Sequence, residues 1–406
     1  MGNKRPIRSL LLRLLPAAIA ASIWLSATCI AQDSQKIEDI KLVGSENLGF
    51  FAEKVRKREP VIIAYLGGSI TVGSGASQYG NNYYWKSRTA IIDEIKKRGG
   101  SAESLNVGIG GTGSAYGAYR IGSQLLVNKP DLLIVEFAVN DCPDKREDAL
   151  AQKKEVVDGM EGIVRQALKQ NPKIGIVFLY TSAAAFQKQY YSKGLVTPSV
   201  EAHHSVALHY GITEAISGSQ IDEGLKDGTF NLEAFFPDGT HPSDIGHDLY
   251  AKTLTSAILP GFDQPAPASV KALPPLLGSG KYENARLDSI VPTASSGGWA
   301  SNKEQWNWNG VEIWTCNVAE KPISFIPKGN GIQLIFMGKI KVKWTVDGND
   351  NVQELTSHAA GMPMPSVWTF PADKNPDGKT VSVEVVSTPD GQPHGEVWGI
   401  FSTRKP

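Results

Sequence analysis

A serine stands in a glycine-rich turn, Gly67-Gly68-Ser69-Ile70-Thr71, directly after the apolar run Val61 to Leu66, which reads as a β-strand. Glycines at such a point let the backbone turn sharply and present the hydroxyl at the edge of a sheet. A serine hydroxyl is a weak nucleophile until a base takes its proton, so the turn calls for a histidine that is itself oriented by a carboxylate. Of the seven histidines, His241 fits: Asp238-Gly239-Thr240-His241 lies in a turn-rich stretch between Pro237 and Pro242. A second Asp-x-x-His, Asp244-Ile245-Gly246-His247, follows at once. Ser243 reads as the N-cap of a helix that would hold this second pair on one face, whereas a loop pair turns more easily toward a strand-end serine. Asp238 and His241 are therefore expected to serve Ser69, and His247 to lie at the surface or in packing.

Acyl transfer also needs donors aimed at the oxyanion of the tetrahedral intermediate. Two further loops offer them. Asn106-Val107-Gly108-Ile109-Gly110-Gly111-Thr112 opens a helix whose first N–H groups lack partners. Val139-Asn140-Asp141 supplies a side-chain amide. The glycine loop lacks the lysine of a P-loop and the full glycine spacing of a dinucleotide site, and Asn140 also suits a turn or cap. Each loop by itself supports a functional and a purely structural reading.

From about residue 60 to 258, β-branched apolar runs alternate with helix-period segments, the pattern of βαβ units around a parallel sheet. Expected strands are Val61 to Leu66, Ser104 to Val107, Leu132 to Val139 and Ile174 to Tyr180. Expected helices are Tyr83 to Arg98, Ala115 to Val127, Glu147 to Lys169 and a further one over Val200 to Tyr210. Ligands of such sheets bind outside the strand C-termini, where Ser69, the glycine loop and Asn140 all fall. The proline-rich residues 261–280 read as a linker. Beyond it, Ile332 to Phe336, Lys339 to Val346, Thr380 to Val386 and Glu396 to Phe401 alternate or run β-branched between turn residues, predicting a sandwich of antiparallel strands.

Together and in this order, the segments around Ser69, Gly111, Asn140 and His241 resemble the SGNH hydrolases, the GDSL-like lipases and esterases, in the branch that begins Gly-Gly-Ser-Ile-Thr. The resemblance covers roughly residues 60–258. It implies a flavodoxin-like three-layer α/β/α domain hydrolysing esters or thioesters, with Ser69 as nucleophile and Asp238 and His241 as its partners. It also implies an oxyanion hole made from the Ser69 N–H, the Gly111 N–H and the Asn140 amide. Pro242 and Gly246 fit the family's continuation into the last helix. Gly68 departs from the aspartate of many members and Ala138 from their glycine, at positions without a catalytic role. The branch is associated with bacterial secreted enzymes that often act on acylated polysaccharides. The C-terminal segments Ile340 to Gly348 and Trp398-Gly399-Ile400 are similar to the galactose-binding-like jelly rolls that accompany carbohydrate esterases.

The first 31 residues carry Lys4, Arg5, Arg8 and Arg13 ahead of the apolar run Leu14 to Ile30, the pattern of a secretory signal peptide cleaved near Ala31. An uncleaved anchor and a lipidated Cys29 are the alternatives. Cleavage leaves 37 basic against 41 acidic residues, a balance that attracts no nucleic acid. Cys142 and Cys316 allow at most one disulfide and are expected as thiols, Cys142 in a structural role. No Cys or His cluster has metal spacing, so neither metal nor cofactor is expected.

Seven of the nine tryptophans fall between Trp299 and Trp398. Most should fill the sandwich core, with Trp299, Trp306 and Trp308 as candidates for stacking on sugars. Tyr79, Tyr83, Tyr84 and Trp85 either wall the site or fill a helix's core face, and His203 and His204 are expected in packing.

The expected organisation is a signal peptide (1–31), a hydrolase domain (32–260), a linker (261–280) and an all-β jelly-roll-like sandwich (281–406). The function expected is a secreted serine esterase, periplasmic or extracellular, that removes O-acetyl groups from an acylated polysaccharide or oligosaccharide, with no membrane association after cleavage. A small-ester or lipid esterase, a glycan acyltransferase using the same residues, and a non-catalytic glycan-binding protein are the alternatives. Acyl group, carrier and oligomeric state are open at this level.

Overall fold

Central strands of a parallel sheet are covered on both faces and must be apolar on both, a demand that VIIAYLG, LLIVE and GIVFLY meet almost throughout. The computed structural model describes residues 35–142, 149–289 and, from 292 to 404, the strands with some of their connections. The expected signal peptide, Trp306 and Trp308 lie outside the described residues.

Five parallel strands form the first sheet: β1 (Val61–Gly67), β2 (Ala102–Asn106), β3 (Leu132–Glu136), β4 (Gly175–Tyr180) and β5 (Thr213–Ile216), in the order β2-β1-β3-β4-β5. The helices that position the site are α1 (Gly49–Arg56), α2 (Ser69–Val72), α3 (Tyr83–Lys97), α4 (Ser114–Gln124), α5 (Ala149–Gln170), α6 (Pro198–Tyr210) and α7 (Asp244–Ile258). Strand side chains alternate between two cores. Ala64, Leu66, Leu133, Val135, Ile176 and Phe178 meet α4, α5 and α6, while Ile63, Tyr65, Ile134, Val177 and Leu179 meet α1, α3 and α7. The fold is thus a three-layer α/β/α sandwich of flavodoxin-like order. That order reverses between β1 and β3, and the crevice at their C-terminal ends is where doubly wound sheets take ligands.

β5 was not expected from the sequence. It has only four residues, and its Glu214 is buried, an expensive placement unless the carboxylate is bonded. Tyr180 Oη donates to it at 2.5 Å, the Val43 N–H at 2.8 Å, and His204 Nδ1 lies 2.9 Å away. β3 ends at Glu136 rather than Val139 because the chain turns there, the Asp141 N–H bonding the Phe137 carbonyl at 2.9 Å.

Residues 264–285, which hold most of the expected linker, run as an arm against α5. The Leu277 and Gly278 N–H groups donate to Glu161 at 2.7 and 2.8 Å, Ser279 Oγ donates to Asp158 at 2.8 Å, and Arg165 donates to Glu283 at 2.8 Å. Beyond the arm are two antiparallel sheets. One orders Asn349–Thr356, Lys339–Val346, Val381–Val386, Ile323–Phe325 and Pro292–Ala294; the other orders Ser366–Thr369, Gly331–Met337, Glu396–Arg404, Ile313–Cys316 and Trp299–Asn302. Val342, Trp344 and Val383 from the first meet Ile332, Leu334 and Trp299 from the second in one core, so this region is a β-sandwich. Trp299 is therefore core rather than an exposed sugar platform, only 8% of its surface being accessible. Among the described residues no helix is long and apolar enough to cross a membrane.

Candidate active site

β1 runs into a single helical turn, α2, whose first residue is Ser69. Starting a helix at a strand's end leaves the first N–H groups without intrahelical partners and facing the crevice. Ser69 is 5% exposed, and its Oγ lies 2.8 Å from Nε2 of His241. His241 Nδ1 lies 2.6 Å from Asp238 Oδ2. The other carboxylate oxygen of Asp238 accepts the Thr240 and His241 N–H groups at 2.9 and 2.7 Å. Burial works to raise the Asp238 carboxyl, but the bonds from His241 and Thr240 outweigh it and hold the group below the ordinary aspartate range. Asp238 is thus an anion that fixes the His241 ring, with Nε2 turned to the serine.

The second Asp-x-x-His does not act as a pair. Asp244 turns outward and accepts Ser77 N–H at 2.8 Å, Ser77 Oγ at 2.6 Å and Asn81 Nδ2 at 2.9 Å, tying down the loop that follows α2. His247 is wholly buried, its Nδ1 accepting the Tyr83 N–H at 3.2 Å and its Nε2 donating to the Ser74 carbonyl at 3.0 Å. Burial holds its pKa down to about 4. An unfolded histidine titrates near 6.5, so the unfolded chain binds this proton more readily. The stability linked to His247 is complete above about pH 6.5 and declines as pH falls toward 4, by about 3 kcal/mol in all. In His247→Gln, which retains one acceptor and one donor, urea unfolding between pH 7 and 4 should show a shallower decline by that amount. Equal declines in both proteins would refute the linkage.

The two remaining loops close on the same turn. Asn106 Nδ2 donates to the Thr71 carbonyl at 2.7 Å, and the Ile109 N–H donates to the Gly67 carbonyl at 3.0 Å. Gly111 is exposed and adopts φ +68°, a conformation that favours glycine. Asn140 is half-buried, its amide lying so close to Gly68 that a Cβ there would collide with it. The missing side chain at Gly68 leaves room for this approach.

Asp141 and His203 join these loops. Asp141 accepts the Ser114 N–H at 2.8 Å, at the start of α4, and lies 2.8 Å from His203 Nε2 on α6. His203 was expected only in packing; it is buried, but it also holds the carboxylate beside Asn140. Tyr83 and Tyr84 are core, whereas Tyr79 and Trp85 are 59% and 41% exposed. Among the described residues no group of three or more His, Cys, Asp or Glu is placed to hold a metal.

The GDSL-like lipase/acylhydrolase family model matches residues 65–249, spanning the turn at Ser69, the glycine loop, Asn140 and His241. The match covers the part of the chain that carries the site, less than half of its length. The GDSL-like domain and its sandwich together resemble a two-domain esterase active on acetylated mannans, with a TM-score of 0.71 and 20% identity, over 89% of this chain and 96% of that one. The same esterase co-crystallised with mannopentaose gives a TM-score of 0.70 at 20% identity, over 90% and 96% of the two chains. An acetylxylan esterase from Geobacillus stearothermophilus gives 0.39 at 19% identity, over 49% of this chain and 94% of its own. No curated protein sequence matches the chain. At such identities the likeness to the two-domain esterase establishes the fold across both domains of this chain.

Proposed function

We propose that the chain is a secreted serine esterase that removes O-acetyl groups from a polysaccharide or oligosaccharide through an acyl-enzyme. The observation that carries this reading is the line Ser69 Oγ, His241 Nε2, His241 Nδ1, Asp238 Oδ2, with separations of 2.8 and 2.6 Å, at the sheet's switch point. His241 takes the Ser69 proton as Oγ attacks the acyl carbon. The negative oxygen that results is held by the Ser69 and Gly111 N–H groups and the Asn140 amide. Collapse returns the proton from His241 to the departing sugar oxygen. Water then attacks the acyl-enzyme with His241 as base, releasing acetate and regenerating Ser69. A positioned histidine contributes roughly 10² to 10⁴-fold to such proton transfers.

The carbohydrate half of the reading is supported by the two-domain esterase active on acetylated mannans, whose likeness extends through the sandwich as well as the catalytic domain. Secretion is supported by the basic and apolar character of residues 1–31. The deciding measurement is acetate release from acetylated mannan and xylan beside hydrolysis of p-nitrophenyl esters of increasing chain length. Acetate release from at least one glycan and a preference for acetyl over longer esters are expected; a preference for octanoyl or longer would overturn the carbohydrate assignment.

A further inference from the structure

Two ionisable side chains, one basic and one acidic, lie fully buried beneath the nucleophile turn, Arg120 from α4 and Glu136 from the end of β3, neither with any accessible surface. The Arg120 guanidinium donates through Nη2 to the Gly67 carbonyl at 3.0 Å, and through Nη1 to the Val107 carbonyl and to Gln124 Oε1, the latter at 2.9 Å. The Glu136 carboxylate accepts Thr71 Oγ1 at 2.9 Å and Thr181 Oγ1 at 2.7 Å, and Tyr83 Oη lies 2.7 Å from Thr71 Oγ1. The Gly68 N–H donates to the Glu136 main-chain carbonyl, 3.3 Å away. The Gly67 carbonyl and the Gly68 N–H are the two ends of one peptide group, next to the one that ends in the Ser69 N–H. Arg120 therefore holds the oxygen of this peptide group, while the Glu136 side chain, whose carboxyl is pushed up by burial, grips the following helical turn through Thr71.

This placement is expensive. Desolvating an ion costs several kcal/mol even after relaxation, and apolar residues of similar volume often replace buried charges without loss of stability. Among the described residues no ion pair joins Arg120 to Glu136 or to another carboxylate, and the Arg120 Nε–H has no partner. Both groups are directed instead at backbone carbonyls, hydroxyls and the Gln124 amide. We propose that Arg120 and Glu136 are positioning residues, a clamp on the turn from beneath, Arg120 at the Gly67 carbonyl and Glu136 at Thr71, that fixes where Ser69 Oγ and the Ser69 N–H stand. The clamp rests on the esterase reading above. It acts in the chemical step, because a nucleophile displaced by about 1 Å can lose roughly 10²-fold in rate.

The test compares Glu136→Gln, Arg120→Lys and Arg120→Met with the wild-type chain, measuring kcat and KM on p-nitrophenyl acetate, the rate of Ser69 labelling by a fluorophosphonate, and melting temperature. Arg120→Met should lower kcat and the labelling rate by about 10²-fold and Glu136→Gln by about tenfold, with KM within about threefold of wild type. Arg120→Lys, which keeps one charged donor for the Gly67 carbonyl, should recover part of what Met loses. Should Arg120→Met fail to fold, the near-isosteric Glu136→Gln carries the test. Folded variants with kcat and labelling within threefold of wild type would overturn the clamp, as would rate losses that vanish well below each variant's melting temperature. An inert wild type would overturn the esterase reading and the clamp with it; an active wild type with equally active variants overturns the clamp alone.

Discussion

Ser69→Ala should lower kcat for acetyl-ester hydrolysis by roughly 10⁵- to 10⁶-fold, the scale of loss when a triad nucleophile is removed. Ser69 Oγ lies 2.8 Å from His241 Nε2, in an imidazole that the Asp238 carboxylate orients toward the crevice. No neighbouring hydroxyl takes over. Thr71 Oγ1 lies within 2.9 Å of Glu136 beneath the turn, and Ser74 comes after the turn has closed. The fold should survive, because the removed oxygen contributes to the His241 contact and not to either core. Acetate release and circular dichroism on the same preparation decide the matter: turnover above about one thousandth of wild type, with native spectra, would remove Ser69 from the nucleophile's role.

Asp238→Asn is expected to cost roughly 10³- to 10⁴-fold in kcat with little change in KM. The carboxylate accepts a hydrogen bond from the His241 Nδ1–H, which leaves the Nε2 lone pair facing Ser69. An asparagine amide turned toward Nδ1 stabilises the opposite tautomer, whose Nε2–H cannot accept the serine proton. The Thr240 and His241 N–H bonds to the other side-chain oxygen persist, so the loop keeps its shape. Because nearby hydrogen bonds hold the Asp238 carboxyl below the ordinary aspartate range, wild-type activity should not depend on ionisation of this group above about pH 4. A kcat for Asp238→Asn within tenfold of wild type between pH 6 and 8 would show that the ring is oriented by other means.

Much of this architecture was legible in the chain. Val61 to Leu66 and Ile174 to Tyr180 are too apolar and too β-branched for anything but strands covered on both faces, and the turn residues after them mark the loops. β5 was not legible, since Thr213-Glu-Ala-Ile216 acquires its buried character only through partners on β4, on α6 and near Val43. The arm at 264–285 looked like a tether because proline-rich composition says nothing about carboxylates waiting on α5. Glu136 carried a signal that could have been used, as one acidic residue in an otherwise apolar central strand. Arg120 carried none, being an ordinary helix residue whose burial depends on where α4 crosses the sheet.

The sequence by itself determined the residue types and their order: a serine, a glycine loop and an asparagine after successive strands, and an Asp-x-x-His ahead of the last helix. Local backbone chemistry suffices for that, because glycine turns, strand ends and helix starts are properties of neighbours in the chain. The tertiary structure alone decided that Asp238 and His241 meet Ser69 while Asp244 turns to Ser77 and His247 enters the core. It alone set Arg120 and Glu136 beneath the turn at Ser69 and drew Trp299 inside the sandwich. Which face a residue presents, and what it costs to bury it, depend on atoms far away in sequence, and no local pattern carries that information.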